Sequence, residues 1–301
     1  MASLTIVLAG GSGFLGSHLR TALTGRGHTV TSLVRRETSA ADESTWDPYA
    51  GQVDRTLVRT ADVVINLAGS PTLGNPHSKK WAHELMESRV TTTRLLAETI
   101  AGAGSGRPPA YLAGNGISYY GDHGDAVLTE VSDTRGHALL TDVARAWQEA
   151  ADPAVAAGSR VCVLRTAPVM DRRAAPLQQL RLLFKTGLGG KIGNGRQYMP
   201  MISLRDWVGG VVHLAEHDDA SGAFNLCLPE APTNAEFTKT LAAAVSRPAF
   251  VPVPAPLIKV AGGKMSSELL GSLNVRPAAL LASGYVFEDA DVDALIATAL
   301  R

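Results

Sequence analysis

Cysteine, net charge and long apolar runs are all scarce in this chain of 301 residues. Its two cysteines, Cys162 and Cys227, each lie in an apolar run, which indicates buried reduced thiols and not a disulfide framework. The 28 basic and 28 acidic residues cancel, and this balance gives no clustered positive charge for nucleic acid or an anionic membrane. No window approaches the ~18–20 uninterrupted apolar residues of a membrane span, and the first ten residues lack a signal-peptide pattern. We expect a soluble cytoplasmic globular protein that binds neither nucleic acid nor membrane.

Apolar residues make up 45% of the chain, and they are arranged as alternating strands and helices. Short β-branched runs predict buried strands at Leu4–Ala9, Thr29–Val34, Asp62–Leu67, Ala110–Ala113 and Arg160–Arg165. Helical spacing predicts helices over Phe14–Arg26, His77–Ala101 and Leu139–Ala157, and residues 36–52 are predicted to form a polar loop. This alternation predicts an α/β protein with a parallel sheet that is covered on both faces. After Arg165 the alternation weakens, although a helix at Leu204–Glu216 and a strand at Ala223–Leu228 are still predicted.

A glycine-rich loop joins the first predicted strand to the first predicted helix. Gly11, Gly13 and Gly16 match G-x-G-x-x-G, and Gly10, Gly13 and Gly16 match G-x-x-G-x-x-G. Glycines allow the tight turn and close backbone approach, and the helix N-terminus offers N–H groups to a pyrophosphate. The position between strand and helix favours a dinucleotide site. The alternative is a plain glycine-rich turn.

The end of the second strand indicates which dinucleotide is preferred. An acidic residue there would bind the ribose hydroxyls of NAD, but the sequence reads Val34-Arg35-Arg36. Arg35 or Arg36 can pair with a 2′-phosphate, which favours NADP. The alternative is that both arginines are solvated loop residues.

Several strings resemble metal or triphosphate motifs without their supporting residues. His213-Leu214-Ala215-Glu216-His217 matches a zinc-hydrolase string, but the predicted amphipathic helix argues against a metal site. Gly190-Lys191 and Gly263-Lys264 lack the Ser or Thr that a phosphate-binding loop for triphosphates needs. We predict no metal site.

Together with the glycine loop, several further segments resemble the short-chain dehydrogenase/reductase superfamily. More narrowly, the chain is similar to its atypical, extended, epimerase-like branch, described as sugar-nucleotide epimerase or cell-division-inhibitor-like. The segments that carry the resemblance occur in family order across nearly the whole chain: Val63–Gly69, Trp46–Pro48, Ser88–Thr93, Tyr119–Gly121, Leu128–Glu130, Gly187–Gly190, Gly193–Gln197 and Thr233–Phe237. The resemblance implies a Rossmann-type doubly wound parallel sheet with a small C-terminal substrate lobe. It places an NADP-binding domain at residues 1–170, with 203–228 returning to it, and the lobe mainly at 171–202 and 229–301.

The resemblance also implies a set of cofactor contacts. They are Gly10, Ser12, Gly13, Phe14, Leu15, Gly16, Val34, Arg35, Leu67, Ala68, Glu84, Arg89 and Val169. Arg36 and Gly69, which adjoin these positions, complete the predicted cofactor contacts. For Glu84, a solvated helix face is an open alternative. Arg89 is expected to be buried and paired, because its helix packs on the sheet.

The usual catalytic dyad of the superfamily, Tyr and Lys four residues apart, is absent. None of the six tyrosines is followed by Lys at that spacing, and Leu140 and Ala144 fall at the dyad positions. Asn115, Tyr119 and Tyr120 follow the predicted strand that ends at Ala113, so they are the candidate catalytic residues, with Tyr119 ahead of Tyr120. His123, four residues after Tyr119, is the nearby candidate for tuning its phenol, although a loop does not ensure that the two side chains meet. A purely structural Tyr-Tyr-Gly turn is the alternative.

These observations favour an NADP-dependent oxidoreductase or epimerase acting on a small carbonyl or hydroxyl substrate, which Arg196 and Gln197 could bind. The alternative is a non-catalytic NADP(H)-binding sensor or interaction protein. The sequence leaves the substrate, the reaction direction, turnover itself and a homodimer open.

Overall fold

The computed structural model describes residues 2–104, 106–249 and 252–301. Its strands are β1 Thr5–Ala9, β2 Thr29–Val34, β3 Glu43–Thr45, β4 Val63–Asn66, β5 Ala110–Gly116, β6 Val127–Leu128, β7 Val161–Thr166, β8 Val169–Met170, β9 Ile202–Ser203, β10 Gly222–Leu226 and β11 Asn274–Val275. Its α-helices are α1 Phe14–Gly25, α2 Arg55–Thr60, α3 Lys79–Ala101, α4 Leu139–Glu149, α5 Asp152–Ala156, α6 Ala175–Lys185, α7 Leu204–Glu216, α8 Asn234–Ala244, α9 Ala255–Gly262, α10 Ser266–Leu270, α11 Ala278–Ala282 and α12 Val292–Ala299.

Seven strands form one sheet in the order β10-β7-β5-β4-β1-β2-β3. The register pairs Thr5 of β1 with Thr29 of β2, and Ile6 of β1 with Val63 of β4; both pairs of strands run parallel. The strand order therefore reverses between β1 and β4, which is the switch point of a doubly wound sheet. This parallel sheet flanked by helices confirms the Rossmann-type α/β fold.

Most predicted elements occur within a few residues of their expected bounds, and β2 and α7 match them at both ends. The predicted polar loop at 36–52 contains β3, whose polar sequence Glu43-Ser44-Thr45 gave no apolar signal. The six-residue helix α2 was not predicted. The helix expected over 139–157 is two helices, because Pro153 begins a new first turn in α5. The predicted break at 104–109 includes Ser105, which lies outside the described residues.

Contacts divide the chain into two compact units. The first unit contains Met1–Asn115, Val143–Leu164 and Val208–Ala223. Its core joins sheet residues such as Val7, Val64 and Tyr111 to residues of α3 such as Leu96.

The second unit contains Gly116–Asp142, Arg165–Trp207 and Phe224–Arg301. One of its cores includes Phe184, Phe237 and Leu295, and another surrounds Tyr120. The domain bounds implied by the family resemblance stay a prediction. No helix within the described ranges combines the length and apolar character needed to cross a bilayer.

Candidate functional site

The glycine loop of the first unit turns sharply between β1 and α1. Gly10 has a φ of +81°, a conformation that L side chains rarely adopt. The N–H of Gly13 donates to the Gly10 carbonyl at 3.0 Å. A Cβ on Gly16 would overlap that same carbonyl oxygen. The loop and the first turn of α1 therefore pack too closely for a side chain at Gly16.

The N-terminus of α1 has no side-chain cap and no acidic residue in its first turn. The N–H groups of a helix's first turn have no intrahelical acceptor and carry the positive end of the helix dipole. Ser12 and Gly13 are exposed beside them, and Leu15 is half-buried. The half-buried ring of Phe14 lies 4.8 Å from that of His18, measured between centroids. This terminus therefore fits a pyrophosphate.

The end of β4 lies against the glycine loop. A Cβ on Gly10 would come within 2.8 Å of the backbone of Leu67 and Ala68. Buried Asn66 fixes this turn, because its Oδ1 accepts from the Ala68 N–H at 3.0 Å and its Nδ2 donates to Thr93 Oγ1 at 2.9 Å. Leu67 and Ala68 are half-buried and Gly69 is exposed.

The two arginines after β2 differ in their partners. Arg36 donates from Nη2 to both carboxylate oxygens of Glu43, each at 2.7 Å. The Thr38 hydroxyl, and then Arg36, hold the pKa of Glu43 below its usual value. Arg35 is exposed, and within the described chain it makes no hydrogen bond or ion pair. Arg35 is therefore the arginine available to a bound phosphate, and half-buried Val34 precedes it.

Arg89 is half-buried on α3 and has no carboxylate within ion-pair distance among the described residues. Its guanidinium donates to the Leu85 carbonyl at 3.2 Å and to Thr72 Oγ1 at 3.0 Å, and it lies 5.1 Å from the Trp147 ring centroid. A Cβ on Gly69 would lie 3.3 Å from its Cγ. Burial lowers the pKa of Arg89 to about 10, so the side chain stays charged at neutral pH. Because the hydrogen-bond partners of Arg89 are neutral, its positive charge lies uncompensated beside the end of β4.

Glu84 lies five residues before Arg89 on α3 and is exposed, with one carboxylate oxygen 3.8 Å from Lys80 Nζ. This contact fits the solvated helix face, and a cofactor contact stays a prediction.

In the first unit, Asn115 is fixed by its helix neighbour. It is buried near the end of β5, and its Nδ2 donates to the Ala144 carbonyl of α4 at 3.0 Å. Ala144 is one of the two dyad positions and is buried as well. The contact ties β5 to α4, and a catalytic role for Asn115 stays a prediction.

In the second unit, the phenol of Tyr120 is buried and engaged on both sides. It donates to Asn225 Oδ1 at 2.7 Å and accepts from Arg165 Nη1 at 2.8 Å. Burial raises the pKa of Tyr120 to about 12, despite the nearby Arg165 charge. These contacts favour a structural role.

Tyr119 is half-buried, and the cation beside it differs from the expected one. The guanidinium carbon of Arg165 lies 3.7 Å from the Tyr119 ring centroid. His123, the candidate named for tuning Tyr119, has its Nε2 3.1 Å from the Tyr120 carbonyl oxygen. A cation over the ring face acts on the whole ring and not on the hydroxyl alone.

The other predicted contacts in the second unit are Val169, Arg196 and Gln197. Val169 is buried in β8, opposite Ile202 of β9. Arg196 is exposed, whereas the Gln197 side chain donates to the Ile192 carbonyl at 3.2 Å. Arg196 is therefore the freer of the two predicted substrate residues.

Sequence reasoning missed two residues of the second unit, Arg165 and Glu268. Arg165 is a buried cation at the end of an otherwise apolar strand, and this pattern was the available signal. Glu268 accepts from Ser118 Oγ at 2.8 Å. Ser118 and Glu268 are 150 positions apart in the sequence, so no local sequence pattern could have paired them.

In the zinc-hydrolase string on α7, Glu216 binds side chains of the first unit. Glu216 accepts two hydrogen bonds from Arg26, at 2.6 and 2.7 Å, and its Oε1 lies 2.9 Å from His28 Nε2. Among the described residues, no group of three or more His, Cys, Asp or Glu is arranged to hold a metal.

Comparison with known proteins places these features in a family. The model of the NAD dependent epimerase/dehydratase family matches residues 6–227, and a domain of unknown function (DUF1731) matches residues 253–299. An epimerase family protein of Mycobacterium leprae is 36% identical over 283 residues, which cover 94% of this chain and 91% of that protein.

Two solved structures extend the comparison. The crystal structure of human epimerase family protein SDR39U1 with NADPH is 31% identical, covers 97% of this chain and 98% of that one, and has a TM-score of 0.85. A nucleoside-diphosphate sugar epimerase from Corynebacterium glutamicum is also 31% identical, covers 99% of this chain and 58% of that one, and has a TM-score of 0.80. The resemblance inferred from the sequence is confirmed, and the chain belongs to the NAD dependent epimerase/dehydratase family.

Proposed function

We propose that this chain is an NADP(H)-dependent oxidoreductase or epimerase that acts on a small carbonyl or hydroxyl substrate. The observation that carries the proposal is the uncapped N-terminus of α1 behind a glycine loop that admits no side chain at Gly16. The human relative crystallised with NADPH supports the cofactor. The Corynebacterium relative, a nucleoside-diphosphate sugar epimerase, supports a nucleotide-sugar-like substrate.

The cofactor would be held by residues of distinct chemistry. The loop from Gly10 to Gly16, with Ser12, Gly13, Phe14 and Leu15, would bind the pyrophosphate through backbone N–H groups. Leu67, Ala68 and Gly69 would border it, and the predicted contacts of Glu84, Arg89 and Val169 complete the set. When bound, the reduced cofactor supplies a hydride to a carbonyl carbon.

Arg35 is the basis for preferring NADP over NAD. It is exposed and unpaired within the described chain, whereas Arg36 is occupied by Glu43. A 2′-phosphate would give Arg35 a charge-assisted pair worth about 1.5–3 kcal/mol, which corresponds to about 10- to 150-fold in affinity. Arg36, although predicted as a contact, would have to leave Glu43 to take part.

The substrate oxygen needs a proton-exchanging group, and the segment after β5 is the proposed source. Within it, Tyr119 is the phenol predicted from the sequence, and the engaged Tyr120 is the weaker candidate. Arg196 and Gln197 are the proposed substrate contacts, with Arg196 able to bind an anionic or polyhydroxylated group.

A non-catalytic NADP(H)-binding protein is the second candidate. The observation that favours it is Leu140 and Ala144 at the dyad positions, since neither side chain can exchange a proton. Both candidates share the cofactor site, so they differ only in turnover.

Calorimetric titration of the purified protein with NADPH and NADH tests the cofactor. We expect NADPH to bind about 10- to 150-fold more tightly. Equal affinities, or no binding of either compound, would contradict the proposal.

We also propose a cytoplasmic location. Both thiols are free and buried, and burial raises the pKa of Cys162 to about 11 and that of Cys227 as well. Unpaired, inert thiols suit a reducing compartment.

A further inference from the structure

The carboxylate of Glu43 on β3 holds the second of the two arginines that follow β2. Arg36 Nη2 donates to both carboxylate oxygens of Glu43 at 2.7 Å. The Thr38 hydroxyl donates to Oε2 of the same carboxylate at 2.7 Å. Glu43 is half-buried, whereas Arg36 is exposed. The carboxylate is thus fixed by two side chains, and it keeps the Arg36 guanidinium beside β3.

Backbone pairing places Glu43 beside the part of the first unit that the proposed function assigns to the dinucleotide. The strands β2 and β3 pair in parallel, with Glu43 opposite Ser32. A Cβ on Gly11 of the glycine loop would lie 2.9 Å from Ser32 Oγ. The Thr45 hydroxyl donates to the Arg36 carbonyl at 3.1 Å. Glu43 therefore lies on the strand next to the one that ends in the two arginines, and its register partner lies against the glycine loop.

The charged groups around the end of β2 leave one arginine uncommitted. Arg36 is paired with Glu43, and Arg20 Nη1 lies 3.6 Å from Asp42 Oδ2. Arg35 makes no hydrogen bond or ion pair within the described chain. A phosphate that binds to Arg35 therefore meets one available cation, and the adjoining strand carries a carboxylate of the same sign as the phosphate.

We propose that Glu43 is a specificity-determining residue that limits the preference of this protein for the 2′-phosphorylated dinucleotide, because it withholds Arg36 from the 2′-phosphate. The inference rests on the proposed NADP(H)-binding function. It assigns to Glu43 a role opposite to that of Arg35: Arg35 attracts the phosphate, and Glu43 reduces the attraction that the end of β2 exerts.

The exchange that Arg36 would have to make adds little to the free energy of binding. To reach a phosphate, Arg36 gives up a bidentate pair with Glu43 and leaves that carboxylate beside a second anion. In return it gains a charge-assisted hydrogen bond of the same kind as those that it loses. Glutamine at position 43 removes the competing charge, so Arg36 becomes available to the phosphate without that loss.

The first test is calorimetric titration of wild type and Glu43→Gln with NADPH and with NADH. Glutamine keeps the size of the side chain and an oxygen that can accept from Thr38, so we expect β3 to be retained. We expect Glu43→Gln to bind NADPH about two- to fivefold more tightly than wild type, the range of one exposed ion pair. NADH, which lacks the 2′-phosphate, should bind both proteins equally. Equal NADPH affinities, or an equal gain for NADH, would overturn the proposal.

Asp42→Asn is the matched control. It removes the same charge from the neighbouring position, but the partner of Asp42 is Arg20 and not Arg36. We expect Asp42→Asn to leave the NADPH affinity near that of wild type, because salt screens exposed charges that make no direct contact. A gain as large as that of Glu43→Gln would show that net charge, and not the release of Arg36, is responsible, and it would overturn the proposal.

A double-mutant cycle tests the part that Arg36 plays. In the Arg36→Ala background no guanidinium is left to release, so we expect Glu43→Gln to give a smaller gain in NADPH affinity than it gives in wild type. A gain of equal or larger size in that background would overturn the proposal, because it would come from repulsion between Glu43 and the phosphate.

A measurement on the unliganded protein separates this inference from the proposed function. The Thr38 hydroxyl, and then Arg36, hold the pKa of Glu43 below its usual value. An NMR titration of the Glu43 carboxyl should therefore give a midpoint below about 4.3, and Arg36→Ala should raise that midpoint. A midpoint that Arg36→Ala does not change would overturn the proposal and leave the proposed function standing. A wild type that binds neither dinucleotide would contradict the proposed function and this inference with it, even where the NMR titration confirms the ion pair.

Discussion

Two glycines of α1 differ sharply in the space around them. A Cβ on Gly16 would overlap the Gly10 carbonyl oxygen, whereas a Cβ on Gly25 would meet nothing within 4 Å. We expect Gly16→Ala to destabilise the protein by about 1–3 kcal/mol through overpacking and to weaken NADPH binding. Chemical denaturation and calorimetry measure the two effects.

Gly25→Ala is the matched control in the same helix. Because alanine favours the helix, we expect it to leave NADPH affinity unchanged and to leave stability equal or raised by up to about 1 kcal/mol. If both variants behaved alike, the close packing of the loop on α1 would be refuted.

At the scale of single residues, the sequence identified types of side chain but not their partners. The basic end of β2 was predicted, yet only the structure separates Arg35 from Arg36, because Glu43 lies on the unpredicted strand β3. The Tyr119–Tyr120 segment was predicted too. Its cation, Arg165, comes from a strand that is distant in sequence, so spacing could not reveal it.

Between elements, Glu216 joins the end of α7 to the turn between α1 and β2. Burial acts to raise the pKa of Glu216, but hydrogen bonds and charge from Arg26 and His28 outweigh it, and the pKa is lowered. A carboxyl whose pKa is lowered by folding stabilises the protein above its unfolded value of about 4.3. That stability is lost as pH falls through the folded value.

We therefore expect Glu216→Gln to lower the free energy of unfolding by about 1–3 kcal/mol at pH 7. At a pH below the Glu216 pKa of both the folded and the unfolded state, we expect the substitution to change the free energy of unfolding little. Urea denaturation at pH 7 and at that acidic pH measures the difference. Glu87→Gln, which removes a half-exposed carboxyl from α3, should change stability little at either pH. A Glu216→Gln loss that is equal at both pH values would show that packing, and not charge, is responsible.

Among the helices and strands, hydrophobic periodicity correctly predicted those that are strongly buried. The strands β1, β4 and β7 are apolar runs, and they were predicted because both faces of a parallel sheet are covered. The strand β3 and the helix α2 are short, and their sequences are largely polar. Contacts with distant parts of the chain determine the structure of such segments, and these contacts cannot be inferred from the pattern of a single sequence.

For the whole molecule, the sheet and the dinucleotide loop were predictable because they depend on local alternation and on glycines at fixed spacing. The Ser118–Glu268 pair was not, since it joins two segments that are 150 positions apart. The same holds for Asn115, whose amide is bound by Ala144 of α4. Long-range pairing is thus the part of the candidate site that required the structure.

Binding of NADP(H) through Arg35 is decided by titrating wild type, Arg35→Ala and Arg36→Ala with NADPH and NADH. We expect Arg35→Ala to weaken NADPH binding by about 10- to 150-fold and to leave NADH binding unchanged, because only NADPH carries the 2′-phosphate. Arg36→Ala, which removes the partner of Glu43, should leave the preference of wild type for NADPH intact. An Arg35→Ala protein that retains the full preference for NADPH would show that Arg35 does not bind the 2′-phosphate.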